Sequence, residues 1–441
     1  MRNCVALSLT LTLLAPFAQP QTSNTKPTLT GHWTAVLDYY GTPANYGFDL
    51  IQQGDKLTGK FGGDPLEGIT DGSTFHFLAK DTDGGTEQVK GTIVNNTLQG
   101  EVIETDGITP TKPASFTFTA TQRPARSSAP PQSHDFTPTV FYRQFSPFNK
   151  PVLTINPGDT VHTTTVDAGG NDFNSQKRVM GGNPQTGPFF IQTAMPGDIL
   201  AVHIRRLRLN RDWAMSDDDL VSRATDSDLA VKMKDAGKTI VWHLDLANGT
   251  ASPARPSERL AHYTVPLKPM LGCIATATGP AQAPPGTGDS GRYGGNMDFN
   301  EITEGATVYL PVSNPGALLY LGDAHALQGD GELNGNALET SMDVEFTVDV
   351  IPDKHLPSPR VESPTSIIAL GYSGSLDDAF RDATSNMAQW LTDDYKLSPT
   401  EVAQVLGTAS QYKVAEVADR NAGVAIKVDK ALLHPLPRAS N

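Results

Sequence analysis

From about Thr28 to Thr121 apolar and polar positions alternate in short runs broken by Gly, Asn and Asp: GHWTAVLDYY, YGFDLIQQGDKLTGKFGG, STFHFLAKDTDGG, EQVKGTIVNNTLQGEVIE and ASFTFTATQ. Alternation of period two puts successive side chains on opposite faces of a strand. The recurrence of strand starts predicts a small antiparallel sandwich or barrel. His32 and His76 sit among these strand residues with no second ligand beside them and read as packing or surface residues. The period is lost in RPARSSAPPQSHD, which reads as a semi-extended linker over residues 122–135.

A second unit, residues 136–441, follows. PVLTINPGDTVHTTTV and FFIQTAMPGDILAVHIRRLRL each place a Pro-Gly-Asp turn between alternating segments, Pro157–Asp159 and Pro196–Asp198, so each turn is expected to link two strands of a sheet. A less regular, partly helical stretch is expected near Asp217 to Gly237, and strands again at ATVYLPV, ALLYLGDAH and SMDVEFTVDVI. Near the C-terminus the period lengthens. Leu376, Ala379, Phe380, Ala383, Met387 and Leu391 recur at helical spacing behind Ser375 as N-cap, and SPTEVAQVLGTA predicts a second helix capped by Ser398 with Pro399 in its first turn. The expected fold is mainly β: a small antiparallel barrel or sandwich, then a larger β-rich unit carrying C-terminal helices.

Composition changes this picture little. With 38% hydrophobic and 19% charged residues the chain is ordinary for a globular protein, and Gly 40 with Pro 33 suits many tight turns. A net charge of -14 without a basic cluster excludes nucleic acid as a partner. At the N-terminus Arg2, the apolar run Val5 to Leu14 and the small-residue end Ala15 to Ala18 read as a secretory signal over residues 1–20. The protein is therefore expected to be periplasmic or extracellular, with no membrane contact after cleavage. Cys4 would leave with the signal, and Cys273, in the apolar run PMLGCIATA, reads as a buried, inert thiol.

Helical HExxH, GxxxxGK[ST] and CxxC motifs are absent, and GYSGS lacks the spacing of a serine elbow. The chemistry concentrates in GDAHALQGDGE, residues 322–332, where three carboxylates and a histidine follow the apolar run ALLYL. If that strand continues, Leu319, Leu321, Asp323 and His325 share one face, and Asp323 with His325 form a chelate for zinc or a similar ion. Asp330 and Glu332 repeat the spacing, and the glycines at 329 and 331 would let them return towards the first pair. Gathered acids of this kind need a cation or a bound proton between them. Upstream, SGRYGGNMDFNE offers Gly295, Asn296 and Asp298 in a glycine loop. Glu339 lies on the polar face of its strand, which could be solvent or site.

NPQTGPFFIQTAMPGDILAVHI followed by GRYGGNMDFNEITEGATVYLPVSNPGALLYLGDAHALQGDGELNGNALE resembles the acetamidase/formamidase family, from about Thr137 to near the C-terminus. The N-terminal unit resembles accessory β-domains of exported proteins. The resemblance implies hydrolysis of a short linear amide to ammonia and a carboxylate, a divalent metal (zinc first, calcium or manganese otherwise), and a homo-oligomer. It places the metal on His325, Asp323 and Asp298, the acid–base work on Glu332, Glu339 and Asp330, and substrate binding on Asn296 and Gly295. One departure is the long connection ATATGPAQAPPGTGDSGRY, which bears on the substrate more than on the fold. Two alternatives stay open: ligand capture without turnover, and hydrolysis of another amide-type C–N bond.

Overall fold

A computed structural model describes residues 28–94, 97–234 and 236–437; the expected signal segment lies outside the described residues. The N-terminal alternation closes into an eight-stranded antiparallel barrel in which each strand pairs with its neighbours in sequence. The first strand, Gly31–Tyr39, zips onto the last, Ala114–Gln122, from Trp33↔Gln122 to Asp38↔Thr117. Closure removes the free edges that an open sheet of these strands would expose. Inward positions carry Trp33, Leu37, Phe48, Phe61, Phe77 and Phe118, so packed side chains fill the barrel.

The expected linker is ordered at both ends. The Arg123 guanidinium forks onto the buried Asp198 carboxylate, with Nη2 to Oδ1 at 2.8 Å, and Nη1 donates to the Thr193 carbonyl at 3.0 Å. At the other end Ser133–Asp135 adds a parallel strand beside Thr160–Thr164. From there a nine-stranded and a twelve-stranded sheet pack face to face. The core between them takes Leu200, Val202, Val344, Phe346 and Val361 from the first, and Ile155, Phe189, Leu271, Ile274, Leu319 and Leu321 from the second. Apolar burial of this extent is the main stabilising term of the unit.

The two Pro-Gly-Asp turns differ from the expectation. Leu153–Ile155 and Gln185–Ile191 lie in the twelve-stranded sheet, whereas Thr160–Thr164 and Ile199–Leu209, which follow the turns, lie in the nine-stranded one. Each turn therefore carries the chain across the core rather than along one sheet. The buried carboxylates end the turns: Asp159 accepts from Asn156 N at 2.9 Å and Gln132 N at 2.8 Å, and Asp198 accepts from Met195 N at 2.8 Å.

The C-terminal helix Leu376–Tyr395 starts where Ser375 Oγ accepts from Asp378 N at 3.1 Å. It buries Ala379, Ala383, Met387, Trp390 and Leu391 against the strands Ser366–Ser373 and Ala422–Asp429. Phe380, expected in the buried stripe, instead stacks on Tyr412 at the surface with ring centroids 4.4 Å apart. The helix can lie this close because residue 371 is glycine; a Cβ there would collide with the backbone of Ala379 and Ala383. The second helix, Pro399–Ala409, has the expected capping box, with Ser398 N donating to Glu401 Oε2 at 2.8 Å.

Arg123→Ala should strand the Asp198 carboxylate, which is 1% exposed. Because the arginine is partly solvated, the expected loss is about 2 kcal/mol, below that of a fully buried pair. Chemical denaturation of the full chain measures it.

Candidate active site

The strand Leu319–His325 lies at the centre of the twelve-stranded sheet, between Met270–Thr276 and the short strand Glu339–Thr340. Register sets His325 opposite Met270 on one side and Glu339 on the other. This pairing brings Glu339 into the site, although it stands fourteen residues further along the chain. Asp298 enters from the loop after Gly294–Asn296, which pairs with the far edge of Met270–Thr276. Glu332 enters from the turn after the central strand.

His325 is fully buried, and its Nε2 lies 3.0 Å from Glu339 Oε1, 3.5 Å from Asp323 Oδ1 and 4.0 Å from Asp298 Oδ1. Two overlapping ligand sets share it: Asp298, Asp323 and His325, and His325, Glu332 and Glu339, with the ligand atoms of each set within 4.8 Å of one another. The expected metal residues are thus adjacent in space.

Hydrogen bonds fix which atom of each ligand is free. Gln328 Nε2 donates to the Asp298 carbonyl, so its Oε1 faces His325 Nδ1 at 2.9 Å. An amide oxygen only accepts, so Nδ1 must carry a proton and Nε2 presents its lone pair to the carboxylates unless a cation or second proton sits there. A directional chain of amides approaches from the opposite side. Gln185 Nε2 donates to Asn183 Oδ1 at 2.8 Å, Asn183 Nδ2 to Asn296 Oδ1, and Asn296 Nδ2 to Asp298 Oδ2 at 2.6 Å and Asp419 Oδ2 at 2.7 Å. Buried atoms without a hydrogen-bond partner include Asp298 Oδ1, His325 Nε2 and Glu339 Oε2. All three belong to the one cluster, and unpaired buried acceptors of this kind are costly unless something else satisfies them. A divalent cation fits such a donor set of carboxylate oxygens and one imidazole.

The backbone is bent to make the cluster. Asp298, Asp323 and Glu332 have φ of 40°, 56° and 49°, in the left-handed region that non-glycine residues seldom occupy. Gly272, on the neighbouring strand, faces the cluster, and a Cβ there would collide with Asp298 Oδ1 and Asp323 Oδ2. Behind Glu339, Arg211 donates to its carbonyl at 3.3 Å and forms a buried pair with Asp167 at 2.9 Å.

The electrostatics follow from burial. Burial, then the charges of Glu332 and Asp323, push Asp298 well above the usual carboxylate range. Burial also raises Glu332 well above it, with His325 opposing and Glu339 adding. Glu339 is pushed up to about 7 by burial, against the pull of His325. For His325 burial disfavours the charged form, but Glu339 and Asp323 outweigh it and hold the imidazole well above its ordinary value. Positive charge is favoured at Nε2 whether it arrives as a proton or as a metal ion.

Three expected residues behave differently. Asp330 does not return to the cluster: its carboxylate accepts from Asn300 Nδ2 at 2.7 Å and pairs with Lys413 Nζ at 3.1 Å. Two-residue spacing fails here because Gly331 and Glu332, with φ of 86° and 49°, reverse the chain between them. The turn is instead clamped to the C-terminal region, Gly331 N donating to the Ala415 carbonyl at 3.2 Å and Val417 N to the Gly331 carbonyl at 2.9 Å. Asn296 lines the cleft, but its amide nitrogen and oxygen are already engaged by protein partners, so it positions Asp298 and Asp419. Gly295 is a buried strand residue that lets Asp289 pass close by and does not line the cleft. Cys273 is fully buried, and burial raises its thiol pKa.

Asp419 was not foreseen. It lines the cleft beside Asn296, and burial pushes it up to about 6. Nothing near ADRN in the sequence signals that role. Gln328 could have been found, since it stands three residues after His325. The cleft above the cluster has a volume of about 1050 Å³ and opens past Phe141, Tyr142 and Arg143.

A cleft ending on buried carboxylates and one imidazole, in a β-sandwich, is an arrangement suited to metal-assisted hydrolysis. The profile of the acetamidase/formamidase family matches residues 273–393, which hold every member of the cluster except Asp419. The formamidase of Methylophilus methylotrophus is 23% identical over 331 residues, covering 58% of this chain and 80% of that protein. The acetamidase of Mycolicibacterium smegmatis is 42% identical over 59 residues, 13% of this chain. Two of the curated relatives align over short stretches only, 10% and 14% of their lengths. The solved acetamidase of Yersinia enterocolitica is similar in fold with a TM-score of 0.60 at 29% identity, covering 70% of this chain and 96% of that one. Over its sandwich the chain is similar in sequence and in fold to the acetamidase/formamidase amidohydrolases.

Gly272→Ala should force Asp298 and Asp323 apart. The expected overpacking cost is about 1–3 kcal/mol, read as a lower melting temperature.

Proposed function

We propose that this protein hydrolyses the C–N bond of a linear amide, releasing ammonia and a carboxylate, with a divalent metal held by His325, Asp323 and Asp298. The observation that carries the reading is His325 Nε2, its ring fixed by Gln328, standing among the carboxylates of Glu339, Asp323 and Asp298, with Asp298 Oδ1 and Glu339 Oε2 buried and without a hydrogen-bond partner. Zinc is the first candidate, with manganese and calcium as the oxygen-preferring alternatives. A cation there supplies a Lewis acid for the amide carbonyl and acidifies water at the site.

The rest of the chemistry belongs to side chains. Glu339, beside His325 and lining the cleft, is placed to accept a proton from attacking water and return it to the departing nitrogen. Glu332, on the other side of His325, is the second carboxylate able to carry that proton. The amide chain through Gln185, Asn183 and Asn296 holds Asp298 Oδ2, leaving Oδ1 for the ion. Burial at the end of the cleft excludes bulk water, so the charges act in a low-dielectric setting.

A cleft of about 1050 Å³ is far larger than formamide or acetamide needs. That observation favours a longer linear amide as the working substrate. We also propose that the protein is exported, supported by Arg2 and the apolar run behind it, and that it assembles as a homo-oligomer, as the family resemblance implies.

Ammonia release from formamide, acetamide and longer linear amides tests the reading, with metal content measured on the same sample. Chelation should abolish turnover and lower the melting temperature, and added zinc or manganese should restore both. His325→Ala should lose metal and activity together; a folded variant with full turnover would overturn the assignment. Gln328→Leu should weaken metal binding by roughly 10–100-fold, as removal of a residue that orients a ligand does, measured by competition with a chromophoric chelator.

A further inference from the structure

A second cavity, of about 410 Å³, shares no lining residue with the cleft. It lies between the last turns of the helix Leu376–Tyr395 and the sheet edge where the strand Met342–Ile351 ends. Ile199, Ile351, Leu356 and Trp390 give it apolar walls. Among them sits Arg360, whose residue is only 6% exposed.

The guanidinium is held on one edge. Nε donates to Asn386 Oδ1 at 2.8 Å and Nη2 to the Asn386 carbonyl at 3.1 Å, while the guanidinium carbon lies 5.0 Å over the Trp390 ring. Nη1 makes no hydrogen bond among the described residues, and no carboxylate forms an ion pair with the group. Asp394 is engaged by Trp390 Nε1 at 3.0 Å, and Asp393 is exposed on the helix surface; both act on Arg360 only through space. Burial lowers the arginine pKa to about 10, which leaves it charged at neutral pH. Lys396, in the left-handed conformation at the helix end with φ of 55°, adds a second cation at the cavity mouth.

A buried charge with no direct ion-pair partner is costly, and an arginine so placed, with one edge held by Asn386 and Nη1 open, is suited to receive a carboxylate in place of the more distant Asp393 and Asp394. Inorganic phosphate would need several donors close together, whereas this cavity combines its apolar walls with Arg360, Lys354 and Lys396 and with the acids Asp393 and Asp394. We propose that this cavity binds a small organic carboxylate, its anionic group on Arg360 Nη1 with Lys396 beside it and its apolar body against Trp390 and the aliphatic walls. The inference stands apart from the cleft chemistry.

Isothermal titration of the full chain with benzoate and with hexanoate tests it, with benzyl alcohol and inorganic phosphate as comparison probes. Saturable binding of at least one of the two acids is expected, both in the wild type and in His325→Ala, which lacks the metal ligand of the cleft. Arg360→Gln should weaken it roughly tenfold or more, the loss of one charge-assisted hydrogen bond, and Lys396→Gln by a smaller factor. Absence of binding by both acids, loss of binding in His325→Ala, or unchanged affinity in folded Arg360→Gln would each overturn the proposal. Phosphate or benzyl alcohol binding as tightly as the acids would do the same. Should Arg360→Gln fail to fold, hydrogen exchange on the wild type decides: the bound acid must raise protection in residues 354–360 and 386–396, and no change there defeats the assignment.

Discussion

Several carboxylates are buried around one imidazole, and much of the surrounding structure exists to hold them there. Left alone, such a group would draw in water or take up protons. The sheet buries His325 between strands on both sides, and hydrogen bonds to Gln328 and from Asn296 fix the outer atoms of His325 and Asp298. What is left is a set of inward-facing atoms whose repulsion only positive charge relieves. The Arg211–Asp167 pair behind Glu339 belongs to the same scheme, since it anchors the strand that presents the outermost acid.

The strained residues show what holding that cluster costs. Asp298, Asp323 and Glu332 adopt backbone angles of the order of 1 kcal/mol or more above the extended region. Residues with free choice would relax, so the packing around them must over-determine the geometry. Tyr372 contributes by donating to the Met297 carbonyl at 2.6 Å, and the Gly331 bridge to the C-terminal region contributes on the other side. The N-terminal barrel takes no part in this. Its contacts with the sandwich, Asn45 to the Ser313 carbonyl at 2.7 Å and Arg123 to Asp198, involve residues outside the cluster.

Much of this was legible in the sequence because period two survives wherever a strand has one polar face. It gave the barrel strands, and it put Asp323 and His325 together, though not on the face of Leu319 and Leu321: the left-handed backbone at Asp323 breaks the alternation, and Ala324 continues the core face instead. The two C-terminal helices were legible from caps and spacing. What failed did so where the chain departs from regular backbone. Asp330 and Glu332 share parity, but the reversal at Gly331 sends them to different places. The Pro-Gly-Asp turns showed where strands end but not that the next strand joins the opposite sheet. Asp419 stands far along the chain from its partners, and Gly272 is one glycine among many until a neighbouring strand supplies the two carboxylates its missing side chain makes room for. Contacts between distant segments leave no local signal.

The clamp between Gly331 and residues 415–417 ties the site to the order in which the chain is made. Met270–Thr276 and Leu319–His325 can pair early, but the turn bearing Glu332 has no anchor until the segment Gln411–Glu416 has emerged and docked. Asp419 arrives later still. A growing chain therefore holds most of the cluster with no finished cleft, and the wall of the cleft is complete only after residues 411–419 have docked.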